Sequence, residues 1–160
     1  MTITKEEILS WLDKVKDPEI PVLSIVDLGV IRKVELADDK VKVHMTPTFV
    51  GCPAIDYMKN DVIKTLREHG IEQPEVEVNF KESWSSDLIS EKGRQALKQF
   101  GLAPPPTGEM IEDISVLEQV PCPRCNGTHT TLKNPFGPTL CRSIHYCNDC
   151  KEAFEQFKPL

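Results

Sequence analysis

The chain has 160 residues, and at about 100 to 200 residues per domain that allows one domain, or one domain with a small appendage. Hydrophobic residues at 39% and charged residues at 28% exclude the disordered and fibrous classes. The net charge of −6, from 19 Lys/Arg against 25 Asp/Glu, has the wrong sign for a protein that neutralises phosphate over a large surface. Neither nucleic acid nor membrane is an expected partner, because no apolar stretch approaches a membrane span. The start, Met1-Thr2-Ile3-Thr4-Lys5-Glu6-Glu7, lacks the basic and apolar segments of a signal peptide. A cytoplasmic location with reduced thiols is expected.

In chain order, Thr4 followed by Glu7 reads as a capping box. Ile8, Leu9, Leu12 and Val15 form one face of a first helix that Asp17-Pro18 ends. Val30, Val34 and Leu36, then Val41, Val43 and Met45, alternate on either side of Asp38-Asp39 and predict a β-hairpin. Pro53 suits a first helical position, and Ile55, Met58, Val62, Ile63 and Leu66 follow at helical spacing until Gly70. Val76, Val78 and Phe80 predict a third strand, and Ser90 to Phe100 a helix stopped by Gly101. The order α-β-β-α-β-α is an α+β arrangement, a small sheet layered with helices, and a small β unit is expected to follow it.

The division between the two parts is legible in three ways. Ala103-Pro104-Pro105-Pro106-Thr107-Gly108 can neither continue a helix nor join a central strand. Five of the six cysteines fall in the last forty residues. Residues 1–120 carry 14 Lys/Arg against 22 Asp/Glu, whereas residues 121–160 carry 5 against 3. The expected organisation is an α+β domain over 1–102, a Pro-rich linker and edge segment over 103–120, and a ribbon over 121–160. Met110 to Val120 alternates acidic and apolar residues, as an edge strand would.

Cys122-Pro123-Arg124-Cys125 and Cys147-Asn148-Asp149-Cys150 are two C-x2-C knuckles separated by 21 residues. Each knuckle bends the backbone so that two thiolates converge, and two of them close a tetrahedral four-sulfur site. Residues 129–133 and 139–146 can pair across Asn134-Pro135-Phe136-Gly137-Pro138. Forty residues cannot build a stable core unaided, so bound metal is expected to supply folding free energy. One structural zinc per chain is the expected occupant, with iron in a rubredoxin-like site as the alternative that four thiolates also allow. A reducing compartment argues against disulfides. Cys141 and His145 belong to no C-x2-C pair and remain substitute ligands outside the expected set. Four thiolates and one zinc bring the ribbon's side-chain charge of +2 to zero, which suits a structural or protein-binding role better than a phosphate-binding one. Phe154 and Phe157 read as its small core.

Cys52 stands apart, in Thr46-Pro47-Thr48-Phe49-Val50-Gly51-Cys52-Pro53, just before the first turn of the second helix. A thiol there faces unpaired backbone N–H groups and the positive end of the helix dipole, which favour thiolate. By residue statistics a lone cysteine is more often a small buried hydrophobe. The Gly, Pro and hydroxyl setting raises the reading of soft-metal or sulfur handling. Asp17 and Asp27 read as turn or cap chemistry. His44 has the outward parity of its strand, and His69 sits in a last helical turn. No Ser-His-Asp set, phosphate loop or dinucleotide fingerprint is present, so no catalytic residue is assigned.

Asp17-Pro18-Glu19-Ile20-Pro21, Ile25-Val26-Asp27-Leu28-Gly29-Val30 and Thr46 to Pro53 resemble the three motifs of the iron-sulfur cluster assembly domain of SufT-type proteins and of the small subunit of the cytosolic iron-sulfur targeting complex. That likeness covers roughly residues 4–102. The run Cys141-Arg142-Ser143-Ile144-His145-Tyr146-Cys147-Asn148-Asp149-Cys150-Lys151-Glu152, with Phe154 and Phe157-Lys158, narrows it. The ribbon fused to that domain resembles the D-protein family of the phenylacetate degradation pathway.

The resemblance implies an accessory or maturation factor of the multicomponent phenylacetyl-CoA epoxidase, assisting an iron-sulfur or di-iron centre. Its implied partners are the oxygenase or reductase subunits and the iron-sulfur assembly machinery, with a homodimer as an allowed assembly. Cys52 becomes the position for cluster or sulfur handling, with Asp27 and Thr48 lining the same loop region, and a transient iron-sulfur cluster becomes a second cofactor. Glu82-Ser83-Trp84-Ser85-Ser86-Asp87-Leu88-Ile89 departs from the family's Pro-Ala-Trp-Thr-Thr-Asp-Trp-Met run by losing the second Trp. A structural or regulatory oxygenase subunit is the alternative, and a nucleic-acid-binding ribbon ranks third. The chain is not expected to be catalytic by itself, since it lacks the Glu-x-x-His pairs of a di-iron site.

Overall fold

A computed structural model describes residues 2–38, 40–49, 51–107 and 117–159. The chain forms two compact units, Met1–Trp84 with Leu88–Gly93, and Ser85–Asp87 with Arg94–Leu160.

In the first unit, α1 spans Lys5–Leu12 and starts on the expected capping box. Thr4 Oγ1 accepts from the Glu7 N–H at 3.2 Å, and Glu7 Oε2 accepts from the Thr4 N–H at 2.9 Å. Ile8 and Leu12 are its buried residues. The helix ends earlier than Asp17-Pro18 suggests. Val15 is drawn out of it because its carbonyl accepts the Ile25 N–H at 3.0 Å, and it stays buried off the helix.

The hairpin forms as expected, with β1 (Ile31–Ala37) antiparallel to β2 (Lys40–Met45), Val34 opposite Val43 and Leu36 opposite Val41. The second helix, α2 (Ala54–Glu68), then carries the chain over to β3 (Glu75–Val78). That strand lies parallel to β2, giving the sheet order β1-β2-β3. A parallel pair requires such a crossover, because a tight turn cannot join its ends. Ile55, Met58, Val62 and Leu66 are buried in α2, and Val41, Val43 and Met45 in β2. Phe80, expected within the third strand, lies beyond its end and is exposed.

The third helix, α3 (Glu91–Phe100), has its first turn in the first unit and the remainder in the second. Gly93 near its start is a contact residue. A Cβ there would lie 3.1 Å from the Asp27 carbonyl oxygen and 3.2 Å from Asp27 Cβ.

The second unit is built on a four-stranded sheet ordered β4-β7-β6-β5. The expected ribbon hairpin is β5 (Thr130–Asn134) with β6 (Arg142–Cys147). Two further strands complete it, β7 (Ala153–Phe157) antiparallel to β6 and the two-residue β4 (Leu102–Ala103) parallel to β7. Ala103, Val120, Cys122, Cys147 and Phe154 form one buried cluster, so the sulfur ligands and the apolar residues share a single small core. The edge strand expected over Met110 to Val120 falls mostly outside the described residues. Its described end turns at Leu117 to Gln119 and buries Leu117 and Val120. Among the described residues no helix is long and apolar enough to cross a membrane.

Candidate metal centre and the Cys52 loop

The loop after Val120 and the loop between β6 and β7 each make one sulfur-bearing knuckle. The Sγ atoms of Cys122, Cys125, Cys147 and Cys150 all lie within 4.8 Å of one another. Cys125 and Cys147 are 3.5 Å apart, and Cys122 and Cys150 3.8 Å. A metal bound by four sulfurs at about 2.3 Å in a tetrahedron spaces them about 3.8 Å apart, so the donor set and its spacing fit a metal ion. The separations are far beyond an S–S bond of about 2.05 Å.

The knuckle backbones solvate these sulfurs. The Arg124 N–H donates to Cys122 Sγ and the Gly127 N–H to Cys125 Sγ, both at 3.4 Å. In the second knuckle the N–H groups of Cys150 and Asp149 point at Cys147 and draw its thiol down to about 7. Cys150 behaves oppositely, because burial and then the neighbouring thiols push it up to about 12. Four crowded thiols resist ionising together without a cation among them, and a bound divalent ion supplies that charge.

The substitute ligands lie elsewhere. Cys141 is buried beside Thr139, with 3.1 Å between Sγ and the hydroxyl. His145 is fully buried, its Nε2 2.8 Å from the Ser143 hydroxyl and its ring stacked on Phe154 at 5.2 Å. Burial depresses its pKa to about 4, so the ring is neutral at neutral pH. Both side chains serve the ribbon's interior, outside the group of four sulfurs.

In the first unit, Cys52 is half-buried at the end of the β2–α2 loop. Pro53 is the N-cap residue, one place outside the helix. The Cys52 N–H donates to the Phe49 carbonyl at 3.2 Å, and the Thr48 hydroxyl lies 4.0 Å from its sulfur. The structure thus brings Thr48 and Cys52 together. Thr46, at the mouth of the same loop, is 1% exposed and its hydroxyl has no hydrogen-bond partner among the described residues. Asp27 is committed to other groups. Oδ1 accepts from the Ser90 hydroxyl at 2.7 Å, and Oδ2 lies 3.4 Å from Lys92 Nζ.

Two further groupings carry no local sequence signal. Lys92 bridges Asp27 and Asp13, the latter at 2.9 Å, joining residues 79 positions apart. His129 Nδ1 meets Asp149 Oδ1 at 2.9 Å beside the second knuckle. Neither spacing has a periodicity that sequence reasoning could have used.

Two family models match the chain, "Iron-sulfur cluster assembly protein" over residues 5–80 and "PaaD zinc beta ribbon domain" over residues 108–158. The class is therefore an iron-sulfur assembly domain joined to a zinc β-ribbon. A protein of Escherichia coli (strain K12), provisionally named as the D component of 1,2-phenylacetyl-CoA epoxidase, is 34% identical over 152 residues, covering 95% of this chain and 91% of its own. The chain belongs to that family of epoxidase D proteins. The first unit also resembles an Fe-S protein maturation auxiliary factor of Porphyromonas gingivalis, 40% identical over 56% of this chain and 86% of that protein. Among solved structures, a domain of unknown function from Bacillus anthracis matches 58% of this chain and 90% of its own at 29% identity, with a TM-score of 0.54. A conserved hypothetical protein of Thermotoga maritima matches 64% of this chain and all of its own at 31% identity, with a TM-score of 0.52.

Proposed function

We propose that this protein is an accessory factor of the multicomponent phenylacetyl-CoA epoxidase, helping to assemble or repair an iron-sulfur or di-iron centre in its oxygenase or reductase chains. One observation carries the reading. A likeness to the D protein of that epoxidase runs through 95% of the chain, and its first half matches the iron-sulfur assembly model. The maturation factor resembling the first unit supports the same direction.

On this reading the chain divides into an assembly domain (1–102), a linker (103–120) and a ribbon (121–160), and works in the cytoplasm with its partners and the iron-sulfur assembly machinery. The ribbon holds one zinc through Cys122, Cys125, Cys147 and Cys150. Four protein sulfurs leave no open coordination position, which is the mark of a structural rather than a catalytic ion. Cys52 carries sulfur or a transient cluster, with the Thr48 hydroxyl beside it. Asp27 is assigned to the same cluster- or sulfur-handling region, and its carboxylate also anchors Ser90 at the start of α3.

The deciding experiment compares two preparations of the oxygenase. Oxygenase from cells lacking this chain should be short of metal. Oxygenase already loaded with metal should turn over equally well with or without it. If the loaded oxygenase needs this chain at every turnover, the chain is part of the catalytic machinery and the assembly reading is wrong.

A further inference from the structure

We infer that His129, oriented by Asp149, is a transient ligand through which a divalent metal ion enters and leaves the four-thiol site at its exposed corner, Cys125. This rests on the reading that the four thiols bind metal.

The four sulfurs are unequally accessible. Cys122 and Cys147 are 1% and 0% exposed and Cys150 is half-buried, whereas Cys125 is open to solvent. An incoming ion therefore meets Cys125 first. Gly127 locates the neighbouring carboxylate. A Cβ at Gly127 would lie 2.2 Å from Asp149 Oδ2 and 3.2 Å from Cys125 Sγ, so that oxygen is no more than 5.4 Å from that sulfur. Only a glycine leaves room for this approach.

The other oxygen of Asp149 meets His129 Nδ1 at 2.9 Å. An ionised carboxylate can only accept, so Nδ1 carries a proton toward it and Nε2 is the ring nitrogen left to bind a metal. Histidines that ligate metals are held in this way, by a carboxylate on the far nitrogen. Here the imidazole is 79% exposed and stands outside the four-sulfur set. Its backbone, by contrast, is clamped to the second knuckle. The Asn148 N–H donates to the His129 carbonyl at 2.8 Å, and Asn148 Nδ2 donates to that carbonyl and to the Thr131 hydroxyl, both at 3.0 Å. A clamped backbone beneath a solvent-exposed, carboxylate-oriented ring is what a capturing arm requires.

Imidazole suits zinc and ferrous iron, and thiolates hold them more firmly. His129 Nε2 captures the hydrated ion, and Cys125 joins it, giving its thiol proton to solvent. Cys147, 3.5 Å from Cys125, and then Cys122 and Cys150 follow, each thiol likewise giving its proton to solvent as it binds, and the imidazole is released once four sulfurs are bound. Because His129 is a ligand at neither end of the path, its removal changes both rates by one factor and leaves affinity alone.

The test uses the full chain with His129→Ala, stripped of metal and mixed with zinc alone in a stopped-flow instrument, with release measured into excess chromophoric chelator. Uptake and release should both slow about tenfold, a loss of about 1.4 kcal/mol of barrier lowering. Zinc stoichiometry and Kd should be unchanged, and imidazole in the buffer should speed the variant more than the parent. Rates equal to the parent's in both directions overturn the inference. So does a weaker Kd with only release altered, which makes His129 a structural support. A parent chain whose four thiols take up no zinc overturns both this inference and the metal reading beneath it.

Discussion

The Asp27 carboxylate accepts a 2.7 Å hydrogen bond from the hydroxyl of Ser90, 63 residues further along the chain. The Ser90 N–H returns a 2.8 Å bond to the Asp27 carbonyl, and the Ser90 hydroxyl accepts from the Gly93 N–H at 3.0 Å. Ser90 thus caps α3 while tethered to the Asp27-Leu28-Gly29 turn, and Trp84 Nε1 donates to the Leu28 carbonyl at 2.9 Å. Gly29 adopts φ +80°, and a Cβ there would sit 2.7 Å from both the Cβ and the carbonyl oxygen of Leu88. This motif is a seat for the segment that leads into α3.

Gly29→Ala should therefore cost about 2 to 4 kcal/mol, from a left-handed backbone plus overpacking against Leu88. Ser90→Ala should cost about 1 kcal/mol, as the loss of a helix cap does. Urea unfolding followed by tryptophan fluorescence measures both, since Trp11 and Trp84 lie in the first unit. A Gly29→Ala chain with the parent's midpoint contradicts the packing described for Leu88.

Asp13 gives the first unit a pH dependence. The Ser24 hydroxyl, at 2.6 Å, and then Lys92, at 2.9 Å, hold its carboxyl below the usual value of 3.8. The unfolded chain therefore binds this proton more readily than the native one, so the contribution is complete above the ordinary carboxylate pKa and is lost as pH falls below it. Urea midpoints read by tryptophan fluorescence should fall between pH 5 and pH 3, and Asp13→Asn should flatten that slope. An equal slope in the variant shows that other carboxylates carry the effect.

Protein purified without added metal should hold about one zinc per chain. Cys122→Ser should lose it and open the region after the Pro-rich linker to protease, because Cys122 and Cys147 belong to the same buried cluster as Phe154. Elemental analysis and limited proteolysis read the two effects. Iron with a rubredoxin-like absorption, or metal retained by the variant, rules out a four-thiolate zinc site.

Cys52→Ala should change stability by less than about 1 kcal/mol and leave zinc content unchanged, since a small half-buried residue is replaced by another of similar size. Epoxidase activity in cells and the metal occupancy of the oxygenase components should fall. A silent variant in cells removes Cys52 from the assembly reading.

Much of this protein was decided within a few residues at a time. The capping box at Thr4 and Glu7, the alternation from Val34 to Met45 and the helical spacing from Ile55 to Leu66 are local patterns, and each produced the element it implied. The C-x2-C knuckles are equally local, because each turn aims its own two sulfurs. What the sequence could not reveal was pairing at a distance. Val15 left its helix for Ile25, Leu102-Ala103 became a strand through Glu155 and Gln156, and Asp27 found Ser90 and Lys92. His129 likewise met Asp149 only when β5 and β6 paired. Such contacts have no periodicity, and a two-residue strand has too little propensity to be written locally. They form because packing buries those backbones together and their polar groups must then find partners, a demand only the assembled structure makes.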